Sequence, residues 1–221
     1  MDPVAIGAGR GRHDRRHSPG GLVHYAKNRG CCSNRYDSRT VTLATLNETL
    51  RTLAAARITH VVGLPDNTSA PLFDALQNHP SVRLITVTRE GEAFAIASGL
   101  WLGGARPLVV IQNTGLLESG DSIRGTAVRM AAPIPILITD RGYGKMAEAG
   151  LTPDEPRTSE LMTRVDIDSS ALLTEPTLDA WGVPFERCQG EQDSAAALAR
   201  TIEAARSEQR PRAVIVARAL N

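Results

Sequence analysis

Apolar positions recur along this chain with two alternating periods, and the alternation predicts strands following helices almost throughout. Leu43, Leu46, Leu50, Leu53 and Ala54 keep helical spacing, which predicts a helix over 42–57. The run HVVGL over 60–64 reads as a short buried strand stopped by Pro65. A helix over 71–78 with Leu72, Ala75 and Leu76 on one face follows, then a strand over 82–87 and a strongly apolar helix over 90–102. PLVVIQ (107–112) and IPILIT (134–139) are unbroken apolar runs, as strands of a parallel sheet covered on both faces require. Between them the pattern predicts a helix over 119–131. Beyond them it predicts a loop over 140–156 and one or two helices over 159–180, with a break near Asp168. A strand over 183–186, an Ala-rich helix over 193–206 and the strand RAVIVA (212–217) complete the series. Strands alternating with helices imply right-handed crossovers. The predicted fold is a single doubly wound α/β domain over 41–221, with a parallel sheet of about six strands and helices on both faces.

Residues 1–40 show neither period. They are rich in Gly, Arg, Ser and Asn and too poor in apolar side chains to offset the entropy of ordering, so they read as a disordered basic extension. Charge divides at the same place: eight basic against three acidic side chains give +5 in the extension, and the remainder carries −4 of the total +1. Arginine outnumbers lysine 23 to 2 along the chain, which reads as codon bias rather than as a phosphate-binding surface, and no nucleic-acid partner is expected. With 42% hydrophobic and 22% charged residues, wholesale disorder is excluded. No apolar run is long enough to span a membrane and none follows the basic residues as a secretory signal would, so a cytoplasmic protein is expected. Three cysteines make no disulfide framework, and no metal-ligand spacing occurs.

Ligands of such sheets sit beyond the carboxyl ends of the strands. Four loops lie there: Gly63 to Ser69, Thr88 to Glu92, Gln112 to Gly115, and Thr139 to Gly144. Three are dense in polar side chains suited to a heteroaromatic or anionic ligand. The chain has no Gly-x-Gly-x-x-Gly after the first strand, no phosphate-loop lysine motif and no Gly-x-Ser-x-Gly elbow. Nicotinamide, nucleoside triphosphate and serine hydrolase chemistry are therefore without a motif.

Two of these loops carry a family resemblance. The stretch VTREGEAFAIASG, with Glu90 closing the second strand and Gly99 nine positions on, resembles the helix entry of the pyrimidine-binding domain of thiamine diphosphate enzymes. Gln112-Asn113-Thr114-Gly115-Leu116 resembles the Gln-Asn-Ser-Gly-Leu motif of sulfopyruvate and phosphonopyruvate decarboxylases. Gly63-Leu64-Pro65-Asp66, the 133–138 run with Arg141-Gly142, and LDAWGVP over 178–184 match as well, so the resemblance extends over about 43–217. The chain departs from the family where a Leu-Gly-Asn run is usual: it reads Leu116-Leu117-Glu118-Ser119-Gly120-Asp121, adding two acidic side chains beside a pocket for an anionic substrate.

The resemblance implies a role for each matching residue. Glu90 would hydrogen-bond the cofactor's aminopyrimidine and activate it, as the catalytic and cofactor-binding carboxyl. Gln112, Asn113, Thr114 and Gly115 would line the cofactor, and Asp66, Asn67 and Arg141 the substrate. Bland roles stand beside these: acidic residues favour a helix's first turn, Asn-Thr-Gly suits a turn and cap, and Arg141 suits a surface ion pair. The family holds the diphosphate and its magnesium in a second domain that begins Gly-Asp-Gly, a string missing from this sequence. No metal ligand is expected here, and the implied protein is the α-type subunit of a two-chain, hetero-oligomeric decarboxylase of phosphonopyruvate- or sulfopyruvate-like acids. Two alternatives stay open: a carboligase subunit of the acetolactate synthase type, and a non-catalytic regulatory or scaffold protein retaining the fold.

Overall fold

Six short strands, β1 (His60–Gly63), β2 (Arg83–Thr86), β3 (Pro107–Gln112), β4 (Pro135–Thr139), β5 (Phe185–Cys188) and β6 (Arg212–Val216), pair in parallel in the order β2-β1-β3-β4-β6-β5. The computed structural model describes residues 43–188 and 193–216. The extension expected over 1–40 lies outside the described residues. The helices are α1 (Leu43–Ala55), α2 (Ala70–Leu76), α3 (Glu90–Leu102), α4 (Asn113–Glu118), α5 (Gly120–Ser122), a π-helical segment (Ile123–Val128), α6 (Tyr143–Glu148), α7 (Ser159–Met162), α8 (Ser169–Ala180) and α9 (Ser194–Glu208). Among the described residues no helix is long and apolar enough to cross a membrane.

The doubly wound expectation holds, because successive side chains of each strand point to opposite faces. One register row, Ile85, Val62, Val109, Ile136, Ala213 and Phe185, crosses all six strands. It faces a core shared with Phe94 of α3, Leu116 of α4, Ile123 and Leu178 of α8. Val61, Leu108, Val110, Leu137 and Val214 face the other way, against Leu53 of α1, Leu72 and Leu76 of α2, and Leu198 and Ile202 of α9. Full burial of both faces explains why β3 and β4 are unbroken apolar runs. At β1 a Cβ on Gly63 would stand 1.8 Å from the Val110 oxygen, so only glycine lets β1 and β3 approach this closely.

Three expectations need correction. The helix expected from 119 starts six residues earlier: α4 leaves β3 directly, with Gln112 as its extended N-cap. It stops at Ser119, whose hydroxyl donates back to the Gly115 carbonyl at 2.6 Å, and the chain continues as α5 and the π-helical segment. The loop expected over 140–156 contains α6, because Tyr143 and Met146 have a small core of their own with Ile167, Ala171 and Leu172. The fifth strand lies two residues later than expected, since Gly182 turns with φ +68° and Pro184 has no N–H for the ladder. The break near Asp168 is present: its carboxylate accepts the Ser170 N–H and caps α8. Pro176 cannot bond the Leu172 carbonyl in α8, and the Arg157 guanidinium donates to that oxygen instead.

Candidate active site

The chain leaves β1 in one direction towards β2 and in the other towards β3, so strand order reverses between β1 and β3. The crevice at the carboxyl ends of these two strands is where doubly wound sheets bind ligands. Asp66 and Gln112 flank it. Asp66 Oδ1 accepts from the Ser69 N–H at 2.7 Å and the Ser69 hydroxyl at 2.6 Å. Its Oδ2 accepts from Gln112 Nε2 and from the Thr139 hydroxyl, both at 2.7 Å. Burial alone would raise the Asp66 pKa, but these four donors outweigh it and hold the carboxyl below its ordinary range. One fixed carboxylate thus ties together the ends of β1, β3 and β4. It also fixes the Gln112 amide, whose Oε1 accepts from the Thr114 hydroxyl at 2.9 Å.

Glu90 is the first residue of α3 and is half-buried. It sits on Gly115: a Cβ there would lie 2.4 Å from Glu90 Cγ and 2.5 Å from Oε1. The two residues read separately from the sequence therefore share one contact, and any side chain at 115 would occupy the space of the carboxyl. Asn113, beside them, is fully buried. Its Nδ2 donates to the Arg141 carbonyl at 3.0 Å and the Thr174 hydroxyl at 3.1 Å, and its Oδ1 accepts the Arg141 N–H at 3.0 Å. Its polar atoms face the protein and clamp the β4–α6 loop to α4 and α8. Arg141 pairs through Nε with Asp168 at 2.8 Å, its side chain still largely exposed. Asn67 is exposed next to the Asp66 network. Gly99 is exposed too, and a Cβ on it would meet nothing within 4 Å.

Residues not singled out from the sequence complete the site. Thr139 and Ser69 hold Asp66, and Thr174 holds Asn113. Asp140 follows β4 directly, and burial pushes its carboxyl up to about 7; Arg187 lowers it and Asp66 raises it by lesser amounts. Arg187 at the end of β5 pairs with Glu175 at 3.0 Å and lies 5.5 Å from the Tyr143 ring. An acidic residue immediately after an unbroken apolar strand was the only sequence signal for Asp140. Glu118, which looked like added negative charge at the pocket, is engaged: Oε1 pairs with Arg89 Nε and Oε2 accepts the Gly91 N–H at 3.0 Å. Asp121 points to solvent and pairs with Arg124.

Fold and geometry together define a doubly wound α/β domain with a polar edge at the β1/β3 reversal and one glutamate seated on a glycine beside it. Residues 46–146 match the family model of the thiamine pyrophosphate enzyme N-terminal TPP binding domain, so the resemblance read from Glu90 and the Gln112–Leu116 motif stands. Similar curated proteins include a phosphonopyruvate decarboxylase of Streptomyces viridochromogenes, 31% identical over 144 residues that make up 62% of this chain and 34% of the relative. The sulfopyruvate decarboxylase subunit alpha of Methanococcus maripaludis is 29% identical over 107 residues, 48% of this chain and 64% of that one. The chain spans about a third of the length of the phosphonopyruvate decarboxylases it matches. Among solved structures, the thiamine diphosphate-dependent 4-hydroxybenzoylformate decarboxylase of Rhodococcus jostii superposes with a TM-score of 0.57 at 16% identity, over 78% of this chain and 30% of that one. The 2-oxoglutarate:ferredoxin oxidoreductase of Magnetococcus marinus gives 0.55 at 12% identity, over 80% and 29%. At such identities the two structures speak for the fold.

Proposed function

We propose that this chain supplies the pyrimidine-binding half of a thiamine diphosphate-dependent decarboxylase acting on an anionic 2-oxo acid of the phosphonopyruvate or sulfopyruvate type. The observation that carries the reading is the seat of Glu90 on Gly115, a cradle that any Cβ would fill, inside the segment that matches the TPP binding domain. When bound, thiamine diphosphate supplies the electron sink for the pair left by departing carbon dioxide. Glu90 would hydrogen-bond a ring nitrogen of the pyrimidine. Gln112, oriented by Asp66, and Thr114 present neutral polar groups at the same edge. Asp66 acts on the substrate side through the fixed carboxylate it places at the crevice, with exposed Asn67 beside it. Arg141, its backbone set by Asn113, supplies a positive charge for the substrate's anionic group.

A partner chain is part of the proposal. A helix apolar on all sides is ordinarily buried. Beyond its two acidic first-turn residues α3 has this character (EGEAFAIASGLWL), yet it exposes Ala95, Gly99 and Leu102, the last to 67%. A second chain carrying the diphosphate-binding domain and its magnesium would cover this face in a cytoplasmic hetero-oligomer. The test is coexpression with such a chain and measurement of carbon dioxide release from sulfopyruvate and phosphonopyruvate. Glu90→Gln is expected to lower turnover by about 10²-fold or more while leaving association unchanged. Unchanged turnover in that variant would refute the role of Glu90.

A further inference from the structure

Glu90 rests on Gly115, and the same short helix reaches the residues on either side of it. α4 begins at Asn113, offers Gly115 as the floor, and ends at Glu118, whose carboxylate crosses to the first turn of α3. There one oxygen pairs with Arg89 and the other accepts the Gly91 N–H at 3.0 Å. Arg89 and Gly91 are the residues on either side of Glu90. The N-cap of α3, Arg89, makes no side-chain cap of its own, so Glu118 fills from another element the role that an N-cap oxygen usually plays. On the Gly91 side a Cβ would make ordinary van der Waals contact with Glu118 Oε2, at 3.4 Å.

We propose that Glu118 is a positioning residue for Glu90, a single carboxylate pinning both of its neighbours and thereby the direction in which its side chain leaves the helix. Arg89 and the positive end of α3 offset the charge of Glu118. The Arg89 side chain is mostly exposed, and exposed ion pairs add little to stability. Glu118 thus acts on geometry far more than on stability, and the two effects separate in experiment. The inference rests on the proposed role of Glu90, but its first readout needs no cofactor.

The full chain is labelled with 13C at the Glu side-chain carboxyl carbons, and Glu90→Gln identifies the Glu90 resonance. Glu118→Ala is expected to move that resonance and to speed exchange of the Gly91 amide about tenfold or more. The melting temperature should change by only a few degrees. Glu118→Gln, which keeps an oxygen for the Gly91 N–H, should restore the resonance in part. Arg89→Ala removes the ion pair alone and serves if Glu118→Ala does not fold; its resonance change is smaller and in the same direction. With the diphosphate-domain chain added, Glu118→Ala should lower kcat about tenfold with a smaller change in KM for the cofactor. A Glu90 resonance and Gly91 exchange indistinguishable from wild type in folded variants would overturn the proposal. If the resonance moves but Glu90→Gln retains full turnover, the positioning stands and the proposed function falls.

Discussion

Asp140 shows how one side chain takes its properties from its surroundings. Its pKa of about 7 in the folded chain stands well above the ordinary carboxyl value of 3.8. The folded state therefore keeps a proton that the unfolded chain releases as pH rises between these values. The stability this proton supports is fully present below the lower value and is lost as pH rises through the upper one. Asp66 and Asp168 run the opposite way, since hydrogen bonds depress both; their contribution is present above the ordinary carboxyl range and is lost as pH falls through their depressed values. Asp140→Asn should accordingly stabilise the chain by about 2 kcal/mol near pH 8, allowing for residual solvent contact, and by much less near pH 4.5. Urea unfolding at both pH values measures this, and an equal gain at the two would contradict it. The sequence marked Asp66 but could not assign it all four donors, because two of them, Gln112 and Thr139, lie 46 and 73 positions away.

Among the elements, α4 is where sequence and structure diverge most usefully. Asn113-Thr114-Gly115 has the composition of a turn, yet these residues form the first turn of a helix, with Gly115 beneath the Glu90 side chain. In a helix interior alanine is favoured over glycine by about 1 kcal/mol. What a new Cβ would meet at 115 is the flexible side chain of Glu90, not backbone. Gly115→Ala is therefore expected to leave the melting temperature unchanged or slightly raised while displacing Glu90. In the reconstituted enzyme it should lower turnover about 10²-fold, as a misplacement near 1 Å does. Calorimetry paired with turnover checks both halves, and full activity in a stable variant would count against the seat. The boundaries of α3, in contrast, were legible in full: the helix runs from Glu90 to Leu102 as its composition predicts. α6 was not legible, because Tyr143 and Met146 acquire apolar partners only when Ile167 and Leu172 arrive from further along the chain.

For the whole molecule, the question is what covers α3. A large apolar side chain left in water at the end of a strongly apolar helix is a candidate anchor for association. Leu102→Asp should leave the isolated chain's stability within about 0.5 kcal/mol, as exposed substitutions generally do. It should also weaken association with a diphosphate-domain chain about tenfold or more, as loss of an interface anchor does. Sedimentation of the mixed chains decides this, and undiminished association would place the interface elsewhere. By itself, the sequence determined the doubly wound class, the strand and helix alternation, and the candidate glutamate and glycine, because periodicity and local chemistry are properties of neighbours in the chain. Tertiary structure alone decided that Glu90 rests on Gly115, that Glu118 bonds the residues on either side of Glu90, that Asn113 is a buried clamp and that burial raises the Asp140 carboxyl pKa. Each of these depends on groups distant in sequence meeting where water has been excluded, and burial and partner geometry exist only once the sheet has closed.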